Sequence, residues 1–267
     1  MNMKTPDILK KIVKRKSEIV QELKIKRPLS NLKEKIEEIE KPRGFVRSLK
    51  ESIKNNGVGV IAELKKASPS KGVLRESFDP SKIAKSFSDN GAACLSVLTE
   101  EDFFLGSNLY LKTAKQACKI PILRKDFIID TYQIFESKII GADCILLIAS
   151  CLEKGTMLSF VELAHKLEMD VLIEAHNDEE LELALKMPNN LIGINNRNLN
   201  NFEVDLKTTL NLQSRLSSDQ LLVTESGIHT SSDVEMMVNN GISAFLVGET
   251  FMNAEDPGKK LHELFFS

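Results

Sequence analysis

With 267 residues, 36 basic against 38 acidic side chains and a formal net charge of −2, the chain is long for an average single domain yet ordinary for an α/β barrel. Near-neutral charge removes any global pull toward nucleic acid or an anionic membrane surface, so neither is expected as a partner. No apolar run has the length of a membrane-spanning helix and Met1 to Lys16 lacks the apolar centre of a signal peptide, so the cytoplasm is the expected location.

In chain order, Ile8, Leu9, Ile12, Val13, Ile19, Val20 and Leu23 recur at helical spacing between basic residues, which predicts an amphipathic helix over 6–26. A weaker helical stretch follows over 31–39, and a third over 45–54 stops at Asn55-Asn56-Gly57. None has a partner strand, so residues 1–56 are expected to be a helical extension packed on a domain that occupies 57–267. From Val58 the pattern becomes regular. Strands are predicted over 58–64, 93–98, 120–123, 144–148, 171–173, 191–194, 221–223 and 244–247. Helices are predicted between them over 81–90, 108–118, 131–140, 154–167, 178–186, 206–216 and 231–239, with a last one over 258–266.

Asn90-Gly91-Ala92, Ile140-Gly141-Ala142 and Asn240-Gly241-Ile242 repeat one junction, a glycine that ends a helix before an apolar strand. Eight strand-then-helix units fit a (β/α)8 barrel better than an open doubly wound sheet. No G-x-G-x-x-G follows the first strand, which weakens the dinucleotide alternative further. Cys94 and Cys144 sit inside apolar strands, and Cys118 and Cys151 have no metal-ligand or redox spacing. His165, His176, His229 and His262 form no helix-spaced pair, so no metal site is expected.

Barrels of this kind build their sites where strands run into the following loops. Those ends carry Glu63 and Lys65 on strand one, Thr99-Glu100-Glu101 after strand two and Lys125-Asp126 after strand three. Strand five offers Glu174, strand six Asn195-Asn196-Arg197, strand seven Thr224-Glu225-Ser226-Gly227, and strand eight Gly248-Glu249-Thr250. Two apart on an extended chain, Glu63 and Lys65 leave the same face. A salt bridge closing a strand explains that pair taken alone. Two lysines and three carboxylates gathered at one mouth, with no comparable cluster at the strand starts, point instead to a catalyst. Ser68-Pro69-Ser70-Lys71-Gly72, together with the small residues at 226–227 and 248, offers hydroxyls and backbone amides suited to a phosphate. Glu249 is an awkward neighbour for a dianion, so either its side chain points away or its amide alone makes the contact.

Ile61-Ala62-Glu63-Leu64-Lys65-Lys66-Ala67-Ser68-Pro69-Ser70, Pro121-Ile122-Leu123-Arg124-Lys125-Asp126-Phe127, Ile192-Gly193-Ile194-Asn195-Asn196-Arg197 and Glu225-Ser226-Gly227-Ile228 stand in register, and in this the chain resembles the indole-3-glycerol-phosphate synthase family. The resemblance runs from about Ile8 to the C-terminus. It implies ring closure of 1-(2-carboxyphenylamino)-1-deoxyribulose 5-phosphate with loss of carbon dioxide and water, in tryptophan biosynthesis, with no cofactor. It also implies that an extra helical segment before the barrel lies over its mouth. Carried over by position, Lys125 is the general acid at the ketone, Lys65 holds the substrate carboxylate and Glu174 is the base. Glu63 and Asn195 orient the lysines and the substrate hydroxyls, and Glu225 lines the same centre. Ser68, Ser226 and the backbone near Gly227, Gly248 and Glu249 hold the phosphate, and Phe104, Phe127, Leu146 and Leu199 surround the aryl ring. Which lysine is the acid in the dehydration stays open. A monomer whose only partner is its small phosphorylated substrate is expected.

Competing readings are a class I aldolase with a Schiff base on Lys125 or Lys65, the neighbouring pathway isomerase, and a non-catalytic phosphate-binding barrel. The isomerase reading is weakened by the lack of a cysteine at the end of the first strand.

Overall fold

The computed structural model describes residues 6–267, so the first five residues of the expected extension lie outside the described residues. Eight short, largely apolar runs form the strands, β1 (Gly59–Leu64), β2 (Cys94–Leu98), β3 (Ile122–Lys125), β4 (Cys144–Ile148), β5 (Asp170–Ala175), β6 (Leu191–Asn195), β7 (Leu221–Glu225) and β8 (Ala244–Val247). Each pairs in parallel with its sequence neighbours, and β1 closes the ring on β8 through Gly59 opposite Ala244 to Ala62 opposite Val247. The result is the (β/α)8 barrel that the alternation predicts.

The helices are α1 (Asp7–Lys26), α2 (Leu29–Lys35), α3 (Phe45–Asn56), α4 (Pro80–Asp89), α5 (Asn108–Ala117), α6 (Thr131–Ile140), α7 (Lys154–Lys166), α8 (Asp178–Leu185), α9 (Lys207–Leu212), α10 (Ser231–Asn239), α11 (Glu249–Met252) and α12 (Pro257–Phe265). Their starts are written locally. Asp79 accepts from the Ser81 and Lys82 amides, Asp130 makes a capping box with Gln133, and Asn177 accepts from the Glu180 amide. Among the described residues no helix is long and apolar enough to cross a membrane.

Strand periodicity sorts the side chains. Ile61, Leu123, Leu146, Leu172, Val223 and Leu246 form the barrel interior, while Val60, Ala62, Leu64, Ile145, Leu147, Val171 and Ile173 pack outward under the helices. Two residues further along four of these strands, the inward row becomes Glu63, Lys125, Glu174 and Glu225. Of the three segments that precede β1, α3 and α1 lie at opposite ends of the barrel, while α2 packs on α6. At the start of the strands, Phe45 and Leu49 of α3 are fully buried in the interior cluster. There Ser48 and Ser52 donate to the Ala93 and Val58 carbonyls, and the Val46 amide donates to Asp170. At the other end, Leu9 and Ile12 of α1 line the mouth.

Several boundaries differ from expectation for one reason. The third strand is Ile122–Lys125 rather than 120–123, and β5, β6 and β7 extend to Ala175, Asn195 and Glu225. Apolar character ends where side chains enter the mouth, while the backbone ladder continues. The 206–216 stretch is α9 followed by a 3-10 turn over Gln213–Arg215, and 31–39 is α2 followed by one over Ile36–Glu38. A two-residue hairpin, Ala67–Ser68 with Gly72–Val73, and the short α11 carry no periodic signal and were not expected.

Candidate active site

One cavity opens at the carboxyl ends of the strands, about 1170 Å3 counting its open mouth. Every candidate residue lines it: Glu63, Lys65, Ser68, Phe104, Lys125, Phe127, Leu146, Glu174, Asn195, Leu199, Glu225, Ser226, Gly227, Gly248 and Glu249. Arg197, Phe202, Asp126, His229 and Thr250 also line it, as does Ile8. Their roles were not assigned from sequence, although Arg197 and Asp126 lie at strand ends.

Two lysines divide the carboxylates. Lys65 Nζ is 2.6 Å from Glu63 Oε1, and Glu63 Oε2 accepts from Ser96 Oγ at 3.3 Å. Lys125 Nζ sits 2.7 Å from Glu174 Oε2 and 3.2 Å from Glu225 Oε2. Asn195 Nδ2 donates to Glu174 Oε1 at 3.2 Å, and Asn195 Oδ1 accepts from Ser226 Oγ at 2.9 Å. One chain of contacts therefore joins β3, β5, β6 and β7.

Two glycines leave the room this packing needs. A methyl group on Gly248 would lie 2.6 Å from Glu63 Oε1, and one on Gly193 would collide with Glu225 Oε1.

Charge is set by burial working against pairing. Burial opposes an ammonium at Lys125, yet Glu174, Glu225 and Glu63 outweigh it and raise its pKa above the ordinary lysine range. Burial likewise opposes the Glu174 carboxylate, but Lys125 and His176 hold its pKa well below the usual range. Glu225 goes the other way. Burial, with Glu174 close by, pushes it up to about 8 despite Lys125, and its Oε1 has no hydrogen-bond partner among the described residues. The two carboxylates titrate as a pair around one ammonium, Glu174 shifted down and Glu225 shifted up.

Beside this centre the Phe104 and Phe127 rings stand 5.9 Å apart between centroids, and Leu146 is buried. On the opposite side, Ser226 adopts a left-handed backbone (φ 68°). Asn196 steadies that turn by donating to the Ser226 carbonyl at 3.0 Å, itself tied to Thr209 and Thr224. Glu249 carboxylate oxygens lie 3.1 Å from Arg197 and 3.7 Å from Lys71, so its charge is occupied by cations.

Such a barrel, with paired ammonium and carboxylate groups inside a half-apolar cleft at the strand ends, belongs to the class of acid–base (β/α)8 enzymes. Residues 9–264 match the family profile of indole-3-glycerol phosphate synthase. A protein of that name from Polynucleobacter asymbioticus is 53% identical over 264 residues, covering 97% of this chain and 99% of the relative. One from Polaromonas naphthalenivorans is 53% identical over 259 residues, covering 97% and 98%. The chain belongs to the indole-3-glycerol phosphate synthase family. More distant solved structures share the barrel. KGPDC from Streptococcus mutans superposes with a TM-score of 0.59 at 11% identity, over 78% of this chain and 95% of that one. A tryptophan synthase alpha-subunit from Pyrococcus furiosus gives 0.59 at 14%, over 78% and 98%.

Proposed function

We propose that this chain converts 1-(2-carboxyphenylamino)-1-deoxyribulose 5-phosphate to indole-3-glycerol phosphate, carbon dioxide and water. The observation that carries this reading is the Lys125 ammonium, held charged between Glu174 and Glu225 beside an aromatic slot. A lysine that keeps its proton is a donor rather than a Schiff-base nucleophile, which favours ring closure over the aldolase reading.

In the first stage Lys125 protonates the ketone oxygen as the ring carbon bearing the carboxylate attacks the ketone carbon. Loss of carbon dioxide returns its electron pair to the aryl ring. In the second, the new hydroxyl leaves as water with a proton from a lysine, and Glu174 takes a proton from the five-membered ring to complete the indole. Lys65, braced by Glu63, pairs with the substrate carboxylate until it departs. Asn195 holds Glu174, and Glu225 lines the centre behind Lys125. Phe104, Phe127, Leu146 and Leu199 enclose the aryl ring, which brings the two reacting carbons together. Ser68, Ser226 and the amides of Gly227, Gly248 and Glu249 hold the phosphate, with Arg197 engaging Glu249. The reading needs no cofactor and takes the chain as a cytoplasmic monomer, since one chain supplies the whole mouth.

Mixing the protein with the carboxyphenylamino substrate tests this directly. Indole fluorescence should grow with time, undisturbed because the chain has no tryptophan. No growth, or a borohydride-stable adduct with a ketose phosphate, would reject the reading.

A further inference from the structure

His176 lies just beyond β5, two residues past Glu174, and its side chain is about nine-tenths buried. It sits behind the cavity wall rather than on it. Both ring nitrogens lie close to carboxylates: Nδ1 is hydrogen-bonded to Glu180 Oε2 at 2.9 Å, and Nε2 is 3.2 Å from Glu174 Oε1 in an ion-pair contact without hydrogen-bond alignment, with no hydrogen-bond partner among the described residues. A neutral imidazole would turn a lone pair toward one of these anions, so the arrangement fits the doubly protonated ring. Glu180 is itself fixed. It is the third residue of α8, its amide donates to Asn177 Oδ1, its Oε1 accepts from Asn177 Nδ2 at 2.9 Å, and its Oε2 also accepts from the His176 amide at 3.0 Å.

We propose that His176 is a positioning residue for the reaction, its imidazolium held by the α8 cap through Glu180 and gripping Glu174 Oε1 from behind while Lys125 holds Oε2. This rests on the assignment of Glu174 as the base, and it gives the capped start of α8 a part in the chemistry. A carboxylate held at both oxygens enters the cycle ionised and in one orientation. The groups facing the ring are Glu174 on β5 and Glu180 on α8, with Cys151 of the turn after β4 close to both carboxylates. Lys125, Asn195 and Glu225 complete the surroundings of Glu174. Burial opposes charge on the ring, but Glu174 and Glu180 outweigh it and lift its pKa to about 10. Burial raises the Cys151 thiol, which leaves it neutral.

The folded wild type provides the first measurement. Nitrogen-15 NMR of the ring, assigned through substitution of the other three histidines, should report both nitrogens protonated at pH 7 and up to about pH 9. A neutral ring at pH 7 would overturn the proposal. The second is the pH profile of kcat/KM. Removing a cation 3.2 Å from Glu174 in His176→Gln should move the acid limb up by about one pH unit or more. It should also lower kcat, with KM little changed. His176→Lys, which restores a cation, should bring the limb part of the way back. A folded His176→Gln whose acid limb stays at the wild-type position would overturn the inference alone. A wild type that forms no indole would overturn the functional reading and this role with it.

Discussion

Lys125 is surrounded by Glu174, Glu225 and Glu63, so the side chain we propose as the first proton donor is also what lets three carboxylates share one mouth. Replacing it with alanine removes both. Lys125→Ala is expected to lower kcat by roughly 10^2 to 10^4, the usual worth of general acid–base help, with circular dichroism unchanged. Glu174→Gln should do the same, since the amide keeps the shape and loses the base. Near-normal turnover in either variant would remove that residue from the mechanism. Gly193 offers a finer probe, because a methyl there collides with Glu225 Oε1. Gly193→Ala should displace Glu225 from Lys125 and cost on the order of 100-fold in kcat, the scale of an ångström misplacement, which steady-state kinetics would read. At this scale the sequence was informative wherever a charged residue interrupts an apolar strand, as Glu63, Glu174 and Glu225 do. It was silent on the part of His176, whose partners Glu174 and Glu180 are close in sequence but meet its ring only once strand, turn and helix are folded, and on Lys16, whose partners Glu100 and Asp126 lie far along the chain.

Elements carry these residues, and α1, which the resemblance places over the mouth, makes there a contact that its helical period does not announce. Lys16 is 6% exposed and its ammonium is 2.8 Å from Asp126 Oδ1 and 3.8 Å from Glu100 Oε1, at the ends of β3 and β2. A helical period marks the apolar face of α1 but cannot show that a lysine on it is buried against the mouth. Burial opposes the Asp126 charge, yet Lys16 and Arg124 win and bring its pKa from 3.8 to about 2. A depressed carboxylate stabilises the fold fully above its unfolded pKa and loses that contribution as pH falls through the folded value. Lys16→Met should therefore melt lower than wild type by a constant margin above pH 4, and the margin should shrink between about pH 4 and pH 2. Calorimetric melts of both proteins across that range would show it, and a margin independent of pH would mean that Lys16 acts through packing alone. KM should rise in the variant as well, because Leu9 and Ile12 on the same helix line the cavity.

The molecule as a whole separates chemistry from support along the barrel axis. At the mouth, charges face an open cleft; at the other end they are sealed. Asp143, fully buried before β4, accepts from Lys115 Nζ at 2.6 Å, the Arg43 amide at 2.7 Å and the Ile122 amide at 2.8 Å. The Arg43 guanidinium meanwhile donates to the carbonyls of Lys115, Cys118 and Ile120. Eightfold alternation was legible because each strand and helix announces its own period. That α1 lies at the mouth came only through the resemblance, and that α3 closes this end was not legible, since nothing local tells a helix which end of a ring it will meet. Asp143→Ala leaves Lys115 and two amides without their acceptor, a buried-pair loss worth about 3–5 kcal/mol. At roughly 2–4 °C per kcal/mol for a chain of this size, Tm should fall by about 6–20 °C. The folded enzyme should nevertheless keep wild-type kcat at a permissive temperature, because no group at the mouth has moved. Melting and turnover measured on the same sample decide it: a variant that loses kcat while Tm holds would show that the two ends are coupled and the division wrong.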